Sequence, residues 1–224
     1  MNDLRLVVFD MAGTTVKDTG QVPQAFTAAL AEHGVRVTAE QLNRVRGSSK
    51  RQAIRQLLSD GASRGGRAEI IYASFCKRLA ERYTSEGVEP IDGAMQVFQW
   101  LREREMRVAL NTGFDRDITH LLLTELQWDD SVVDAVVCSD DVAQGRPAPD
   151  LIFRAMAATN ISDVQQVMNI GDTILDLQAG QLAGVRWNIG VLSGAHSQEQ
   201  LIQWPHTDLW PSVTTLPDYV FPNE

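Results

Sequence analysis

Residues 4–16, LRLVVFDMAGTTV, decide the fold of this chain. Residues 4–9 form a compact apolar run of the kind that predicts a buried β-strand. The strand is expected to stop at Asp10, and the small residues 12–15 predict a loop. Because functional side chains of open parallel sheets lie beyond the carboxyl ends of the strands, Asp10 is the first candidate for a functional residue.

The segment after this strand carries only helical patterns, over residues 22–83. Thr38 with Gln41 three residues later predicts a capping box at the start of one helix. Ser49 predicts the start of another. We therefore expect an all-helical insert directly after the first strand.

Beyond residue 91 the pattern changes, and strand-like and helical segments alternate. Strands are expected at 108–110, 132–137, 167–170, 187–191 and 207–213, and a loose tail at 218–224. Alternation of this kind predicts a parallel sheet with helices on both faces. The predicted class is α/β, with a core domain of residues 1–16 and 91–224 and a helical cap domain of residues 17–90.

Composition excludes several classes of protein. The chain has 224 residues, 44% of them hydrophobic and 22% charged, as expected of a globular protein with a sizeable core. A net charge of -9 argues against a nucleic-acid binder. No apolar stretch approaches the length of a membrane span, and the first apolar run is too short for a signal peptide. Two distant cysteines predict reduced thiols, so we expect a cytoplasmic protein.

Polar side chains follow the predicted strands, and they suggest a site. Asp10 ends the first strand, Thr112 follows the second, and Arg146 lies beyond the third. Asp172 follows the fourth strand, with Asp176 soon after. Carboxylates that meet at one sheet edge repel each other unless a cation joins them, and Mg²⁺ favours such oxygen ligands. The set predicts a magnesium site that accepts a phosphoryl group.

Motifs of other enzyme classes are absent from the sequence. It contains no GxGxxG or GxxxxGK[ST] pattern, so neither a dinucleotide site nor a P-loop is predicted. It also lacks HExxH and GxSxG, the patterns of zinc proteases and of serine hydrolases.

Four segments, residues 10–15, 111–113, 145–147 and 171–176, resemble the four motifs of the haloacid dehalogenase (HAD) superfamily. They occur in the order of that family and span nearly the whole core. The helical insert matches the family's C1-type cap in position and size. The resemblance implies a Rossmann-like core and a hydrolase.

The resemblance also implies roles for the strand-end residues. Asp10 would be the nucleophile that forms an aspartyl-phosphate. Mg²⁺ would be held by Asp10, Asp172 and the main-chain carbonyl of Ala12, with Asp176 supporting the metal.

Phosphoryl binding is implied for three residues of the other two motifs. Thr112 and the amide of Gly113 would bind phosphoryl oxygens. Arg146 would neutralise charge at the position where most relatives carry a lysine.

Ala12 departs from the pattern of most phosphatases in the superfamily, which carry a second aspartate there to protonate the leaving group. One branch with an alanine at this position is the phosphonatases, which cleave a carbon–phosphorus bond. The chain resembles them in residues 10–16, in the Thr-Gly-aromatic turn 112–114, and in DDVAQGRP, residues 140–147.

Phosphonatases use a cap lysine to form a Schiff base, and the resemblance places Lys50 at that position. Its pKa would have to be lowered, and we expect nearby Arg44, Arg46 and Arg51 to contribute. The alternative is a solvated lysine in the first turn of a helix. Two cap residues depart from the family pattern: Arg46 replaces a methionine and Ala53 replaces a histidine.

The cap segment is rich in cations. Seven Lys and Arg residues lie between Arg44 and Arg67, with a single acidic residue, Asp60, before Glu69. Such a run fits either a solvated helix face or a lid whose positive lining attracts an anionic substrate.

The predicted function is Mg²⁺-dependent hydrolysis of a small phosphonate, phosphonoacetaldehyde or a close analogue. One alternative is a small-molecule phosphatase, similar to phosphoglycolate phosphatases. Another is a non-catalytic module that binds a phosphometabolite. The expected partner is a small anionic substrate, with neither nucleic acid nor membrane, and the chain is expected to be a monomer or a homodimer.

Overall fold

The structure is a computed structural model that describes residues 3–58 and 64–221. Six strands within these residues form one parallel sheet of order β3-β2-β1-β4-β5-β6. They are β1 (Leu6–Asp10), β2 (Arg107–Asn111), β3 (Ala135–Val137), β4 (Val167–Gly171), β5 (Trp187–Val191) and β6 (Asp208–Trp210). The predicted α/β class is confirmed.

Helices alternate with the strands after residue 93. In this part of the chain they are α5 (Ala94–Glu103), α6 (Arg116–Leu126), α7 (Asp150–Ala158), α8 (Ile174–Ala183), α9 (Gln198–Leu201) and α10 (Leu216–Val220). The helices cover both faces of the sheet, since all five residues of β1, β4 and β5 are buried. This burial explains why these strands are mostly apolar and do not alternate between apolar and polar residues.

Helices also fill the segment between β1 and α5. They are α1 (Gln21–Glu32), α2 (Ala39–Arg44), α3 (Lys50–Leu57) and α4 (Arg64–Glu86). The predicted capping box of α2 is present, because Thr38 accepts from the amide of Gln41 at 3.2 Å and Gln41 accepts from the amide of Thr38 at 2.8 Å. Asp60 lies outside the described residues.

The two chain segments that connect this helical part to the sheet run side by side. The amide of Lys17 donates to the carbonyl of Glu89 at 2.9 Å, and that of Ile91 donates to Thr15 at 2.8 Å. The ammonium of Lys17 lies 2.9 Å from the carboxylate of Asp92. The chain therefore leaves the sheet and returns to it at one place.

Three predicted elements differ from the structure. The last strand, predicted at 207–213, covers only Asp208–Trp210. The third strand begins at Ala135 rather than at residue 132, because the amides of Val132 and Val133 both donate to the carbonyl of Asp129 in a turn. The predicted loose tail from residue 218 is wrong up to residue 221, since α10 reaches Val220, which is buried. Its other apolar side chains also pack, and Phe221 lies with its ring centroid 5.6 Å from that of Trp100.

Candidate active site

The centre of the sheet brings the strand-end residues together. β1 lies between β2 and β4, and Asp10 at its end pairs with Asn111 of β2. Asp172 directly follows β4 on the other side. Asp10, Thr112 and Asp172 are all buried, and they line one open cavity, whose volume with the adjoining solvent space is about 790 Å³.

Arg146 lies at the centre of this group and is 3% exposed. Its Nη1 lies 2.6 Å from Oδ1 of Asp10, and its Nε lies 2.9 Å from Oδ1 of Asp176. Its Nη2 donates to the carbonyl oxygen and to the side-chain oxygen of Asn111. The guanidinium is thus fixed in orientation by three side chains, beside the predicted nucleophile.

Burial raises the pKa of Asp10 to about 6. The nearby Arg146 opposes this shift, and the charge of Asp176 adds to it. Low dielectric disfavours the charged form of any carboxylate, and a neighbouring cation favours it. Asp10 therefore needs positive charge nearby to act as an ionised nucleophile.

Asp172 is held by the loops that follow β1 and β5. Thr14 donates to its Oδ1 at 3.2 Å, and the amide of Ala195 donates to its Oδ2 at 2.6 Å. A Cβ on Gly13 would lie only 2.5 Å from Oδ2, and one on Gly194 only 1.9 Å. The backbone of both loops approaches the carboxylate so closely that only glycine fits.

The pKa of Asp172 is raised well above its ordinary value, mainly by burial and then by the charges of Asp10 and Asp176. Asp176 is engaged by the protein itself: one carboxylate oxygen accepts from the amide and hydroxyl of Thr173, and the other contacts Arg146. We therefore expect Asp176 to orient Arg146 and to act on the metal only indirectly.

The charges at this edge of the sheet fit a divalent cation. Three buried carboxylates, Asp10, Asp172 and Asp176, act through their charge on one buried guanidinium, that of Arg146, and Asp10 and Asp176 contact it directly. The excess negative charge and the oxygen donors match Mg²⁺, which commonly binds one or two carboxylates and leaves positions for substrate phosphate. No group of three or more His, Cys, Asp or Glu that could hold a metal occurs among the described residues. The implied ligands are Asp10, Asp172 and the carbonyl of Ala12.

Thr112 and Gly113 form the turn after β2. The amide of Thr112 donates to Val137 at 3.0 Å, and the Thr112 hydroxyl accepts from the amide of Phe114 at 3.1 Å. A Cβ on Gly113 would lie 2.9 Å from the carbonyl oxygen of Ser48. The helical segment therefore contacts the sheet at the place where a phosphoryl group is expected to bind.

Lys50 is the first residue of α3, and its side chain lines the same cavity as Asp10. Its Nζ donates to the carbonyl of Ser48 at 3.4 Å and lies 5.8 Å from the ring centroid of Phe114. The side chain is half-buried rather than solvated. Ala12 and Ala53 line the cavity with methyl groups, which cannot transfer a proton.

Burial lowers the pKa of Lys50 to about 8. Asp10 and Asp18 oppose the shift, whereas Arg146 and Arg46 add to it. The direction agrees with the prediction, but burial is the main cause, and of the three arginines expected only Arg46 is among the largest contributions.

Of the cations described between Arg44 and Arg67, Arg46 and Lys50 line the cavity, as expected from the second of the two interpretations of this segment. The other cations contact acidic or carbonyl groups of neighbouring elements at distances between 2.5 and 3.7 Å. The contacts are Arg44 with Glu40, Arg51 with Glu69 and Asp115, Arg55 with Glu69, and Arg67 with the carbonyl of His33. The side chain of Arg64 lies outside the described residues.

The sequence analysis missed the loop of residues 193–196, which follows β5. Besides the Ala195 amide, this loop supplies the hydroxyl of Ser193, which donates to the carbonyl of Gly13 at 2.8 Å. His196 is buried, and its Nδ1 accepts from the amide of Ile174 at 3.0 Å. Its position at the end of a strand is the feature by which the loop could have been found.

The fold and the site define a hydrolase of the haloacid dehalogenase type, and comparison with known proteins agrees. The model of the family "Haloacid dehalogenase-like hydrolase" matches residues 7–189, and the chain belongs to this family. The membership supports an enzyme over the alternative of a non-catalytic module. No helix of the described residues has the length and apolar character needed to cross a membrane.

Within the family the chain is similar to phosphonoacetaldehyde hydrolases. It is 31% identical over 202 residues to "Phosphonoacetaldehyde hydrolase" of Bordetella pertussis, a match that covers 84% of this chain and 72% of the relative.

Solved structures share the fold. A phosphonoacetaldehyde hydrolase-like protein from Oleispira antarctica superimposes with a TM-score of 0.85 at 21% identity, over 98% of this chain and 92% of that chain. CbbY from Rhodobacter sphaeroides, solved in complex with phosphate, has a TM-score of 0.78 at 16% identity, over 93% of this chain and 94% of that one.

Proposed function

We propose that this hydrolase cleaves the carbon–phosphorus bond of a small phosphonate that carries a carbonyl group, phosphonoacetaldehyde or a close analogue. One observation carries the proposal: the amine of Lys50, with its pKa lowered to about 8, and the carboxylate of Asp10 line one cavity, in which Ala12 provides no acid. The similarity to a phosphonoacetaldehyde hydrolase from Bordetella pertussis supports it.

The first step of the proposed reaction is imine formation. The neutral amine of Lys50 attacks the carbonyl carbon, and water leaves as the protonated imine forms. The iminium nitrogen then withdraws electrons from the carbon that bears the phosphoryl group. This withdrawal replaces the general acid that Ala12 cannot provide.

The second step is phosphoryl transfer to Asp10. A carboxylate oxygen of Asp10 attacks phosphorus, the carbon–phosphorus bond breaks, and its electron pair forms the enamine on Lys50. Arg146, fixed by Asp10, Asp176 and Asn111, stabilises the charge of the transferring group, together with the Thr112 hydroxyl. When bound, Mg²⁺ supplies further charge neutralisation and orientation of the phosphoryl oxygens.

The last steps restore the enzyme. Protonation of the enamine carbon and hydrolysis of the imine release acetaldehyde and the free amine of Lys50. Attack of water on the aspartyl-phosphate releases phosphate and the carboxylate of Asp10. The sum is one phosphonoacetaldehyde and one water converted to acetaldehyde and phosphate.

We also propose that residues 17–90 form a cap domain that opens and closes over the core formed by 1–16 and 91–224. The main-chain hydrogen bonds of Lys17 and Ile91 support a hinge at this place, because they hold the two connecting segments side by side. Closure would expel water from the cavity before attack.

Phosphate release from phosphonoacetaldehyde tests the proposed function. We expect Mg²⁺-dependent release by the wild type and loss of at least about 10³-fold in Asp10→Asn and in Lys50→Ala. Lys77→Ala, a change at an exposed cap lysine, is the matched control. Absence of release by the wild type, with and without Mg²⁺, would overturn the proposal.

A second candidate function is hydrolysis of a phosphate ester with a good leaving group. It is favoured by Arg46 and Ala53, which line the cavity and differ from the phosphonatase pattern. Here Lys50 would act only as a cation, so Lys50→Arg would keep activity on the ester. Under the proposed function the same variant loses activity on the phosphonate.

A further inference from the structure

The cavity contains a cation that the proposed reaction does not use. Arg46 lies in the loop between α2 and α3 and lines the cavity together with Asp10 and Lys50. Its side chain is half-buried. In the part of the chain that the structure describes, it forms neither an ion pair nor a side-chain hydrogen bond.

The loop that carries Arg46 is fixed against the core. A Cβ on Gly47, whose φ is +82°, would lie 2.4 Å from the hydroxyl of Thr173. The hydroxyl of Ser48 donates to the carbonyl of Val45 at 2.7 Å and closes the loop. Arg46 is thus held between two anchored neighbours, close to the end of β4.

The charge of Arg46 acts on two titratable side chains, those of Lys50 and His196. It lowers the pKa of Lys50, and it contributes, after burial, to the lowered pKa of His196. Asp18 also lines the cavity, and its Oδ1 accepts from the amides of Gly20 and Val22. It forms no ion pair with Arg46.

Two other arginines near the site, unlike Arg46, have acidic partners. Arg146 is bound to Asp10 and Asp176, and Arg44, two residues before Arg46, pairs with Glu40 at 2.5 Å. A half-buried guanidinium without an acidic partner carries a desolvation cost that an anion in the cavity would offset.

We infer that Arg46 binds a second anionic group of the substrate, a carboxylate attached to the carbonyl carbon that Lys50 attacks. The substrate class is then a 2-oxo acid with a phosphonate on carbon 3. The inference rests on the proposed function, since it places the carbonyl at Lys50 and the phosphonate at Asp10. The planar fork of an arginine suits a carboxylate, which accepts two parallel hydrogen bonds.

The reaction of such a substrate has the same steps as the reaction of phosphonoacetaldehyde. Lys50 forms the imine at carbon 2 with loss of water, and Asp10 takes the phosphoryl group as the carbon–phosphorus bond becomes an enamine. Protonation at carbon 3 and two hydrolyses then give the 2-oxo acid and phosphate. The carboxylate is unchanged and serves only for binding at Arg46.

The inference can be tested without turnover, by measuring how tightly two unreactive compounds bind in the presence of Mg²⁺. The probes are 3-phosphonopropanoate, which carries a carboxylate, and propylphosphonate, which does not. We expect the wild type to bind the carboxylate compound about 10- to 100-fold more tightly by calorimetry, the range of one charged hydrogen-bonded contact. In Arg46→Met this preference disappears, and in Arg44→Met it stays.

Equal affinity of the wild type for both probes would overturn the inference, as would a preference that survives in Arg46→Met. Kinetics with 3-phosphonopyruvate and phosphonoacetaldehyde separates this result from the proposed function. Loss of the preference for the keto acid in Arg46→Met supports the inference. Failure of the wild type to release phosphate from either compound sinks the proposed reaction, while the binding result still decides the role of Arg46.

Discussion

Arg146 and Asp10 form a buried ion pair in which Nη1 lies 2.6 Å from Oδ1. The pair joins the loop after β3 to the end of β1, and neither residue is more than 6% exposed. Because Asp176 and Asn111 hold the guanidinium from the other sides, it cannot turn away from the carboxylate. The pair keeps the nucleophile in place and places positive charge where phosphoryl charge is expected.

Replacement of Arg146 by methionine is expected to reduce both activity and stability. Phosphate release should fall by about 10²–10³-fold, the usual effect of removing one group that stabilises developing charge. The free energy of unfolding, measured in EDTA, should fall by about 3–5 kcal/mol, because two buried carboxylates lose their partner. Arg154→Met, at an exposed residue of α7, is the control. Unchanged activity in Arg146→Met would contradict this role.

The reactivity of Lys50 is expected to depend on pH. Only the neutral amine attacks a carbonyl, and below the pKa of about 8 its fraction falls tenfold per pH unit. For phosphonoacetaldehyde, kcat/KM should therefore rise with pH and level off above about 8, whereas an ordinary lysine would continue to rise toward 10.5. Competitive labelling of the Lys50 amine measures the same pKa without turnover. A labelling pKa of Lys50 near the ordinary lysine value of 10.5 would contradict the account.

Gly113→Ala is expected to impair closure of the helical segment on the sheet. The added methyl would lie 2.9 Å from the carbonyl oxygen of Ser48, so the loop that leads to Lys50 must shift. We expect kcat/KM to fall by about 10- to 100-fold, as for other small misplacements of reacting groups. Gly66→Ala is the control, because no atom lies within 4 Å of its Cβ position. Equal kinetics of both variants would show that this contact does not position Lys50.

The strand-end residues of the site could be predicted from sequence because a parallel sheet brings its carboxyl ends to one edge. Asp10 ends a strand that is otherwise apolar, and Thr112 and Asp172 directly follow strands that are mostly apolar. Such strands are readily recognised. The loop of residues 193–196 was missed, because its contacts to Asp172 are made largely by the main chain. Every residue except proline has a main-chain amide, so the residue types do not show which amides donate to a carboxylate.

The partners of the charged side chains were harder to predict than the positions of the site residues in the fold. Nothing in the sequence shows that Arg51 contacts Glu69 while Arg46 has no acidic partner, since this depends on how α3 packs against α4. The contact of Arg146 with Asp176 likewise depends on tertiary structure, because Arg146 lies in the loop after β3 and Asp176 lies in the first turn of α8. For the same reason the sequence indicates neighbouring arginines as contributors to the lowered pKa of Lys50 but does not show that burial is the larger cause.

Trapping of the imine on Lys50 tests the central claim most directly. The wild type would be treated with sodium borohydride in the presence of phosphonoacetaldehyde and Mg²⁺, digested, and analysed by mass spectrometry. The account predicts reductive alkylation of Lys50, loss of activity, and no such modification of exposed Lys77 or of either lysine without substrate. Undiminished phosphate release, with Lys50 unmodified after borohydride treatment, would contradict the claim that this lysine forms the covalent intermediate.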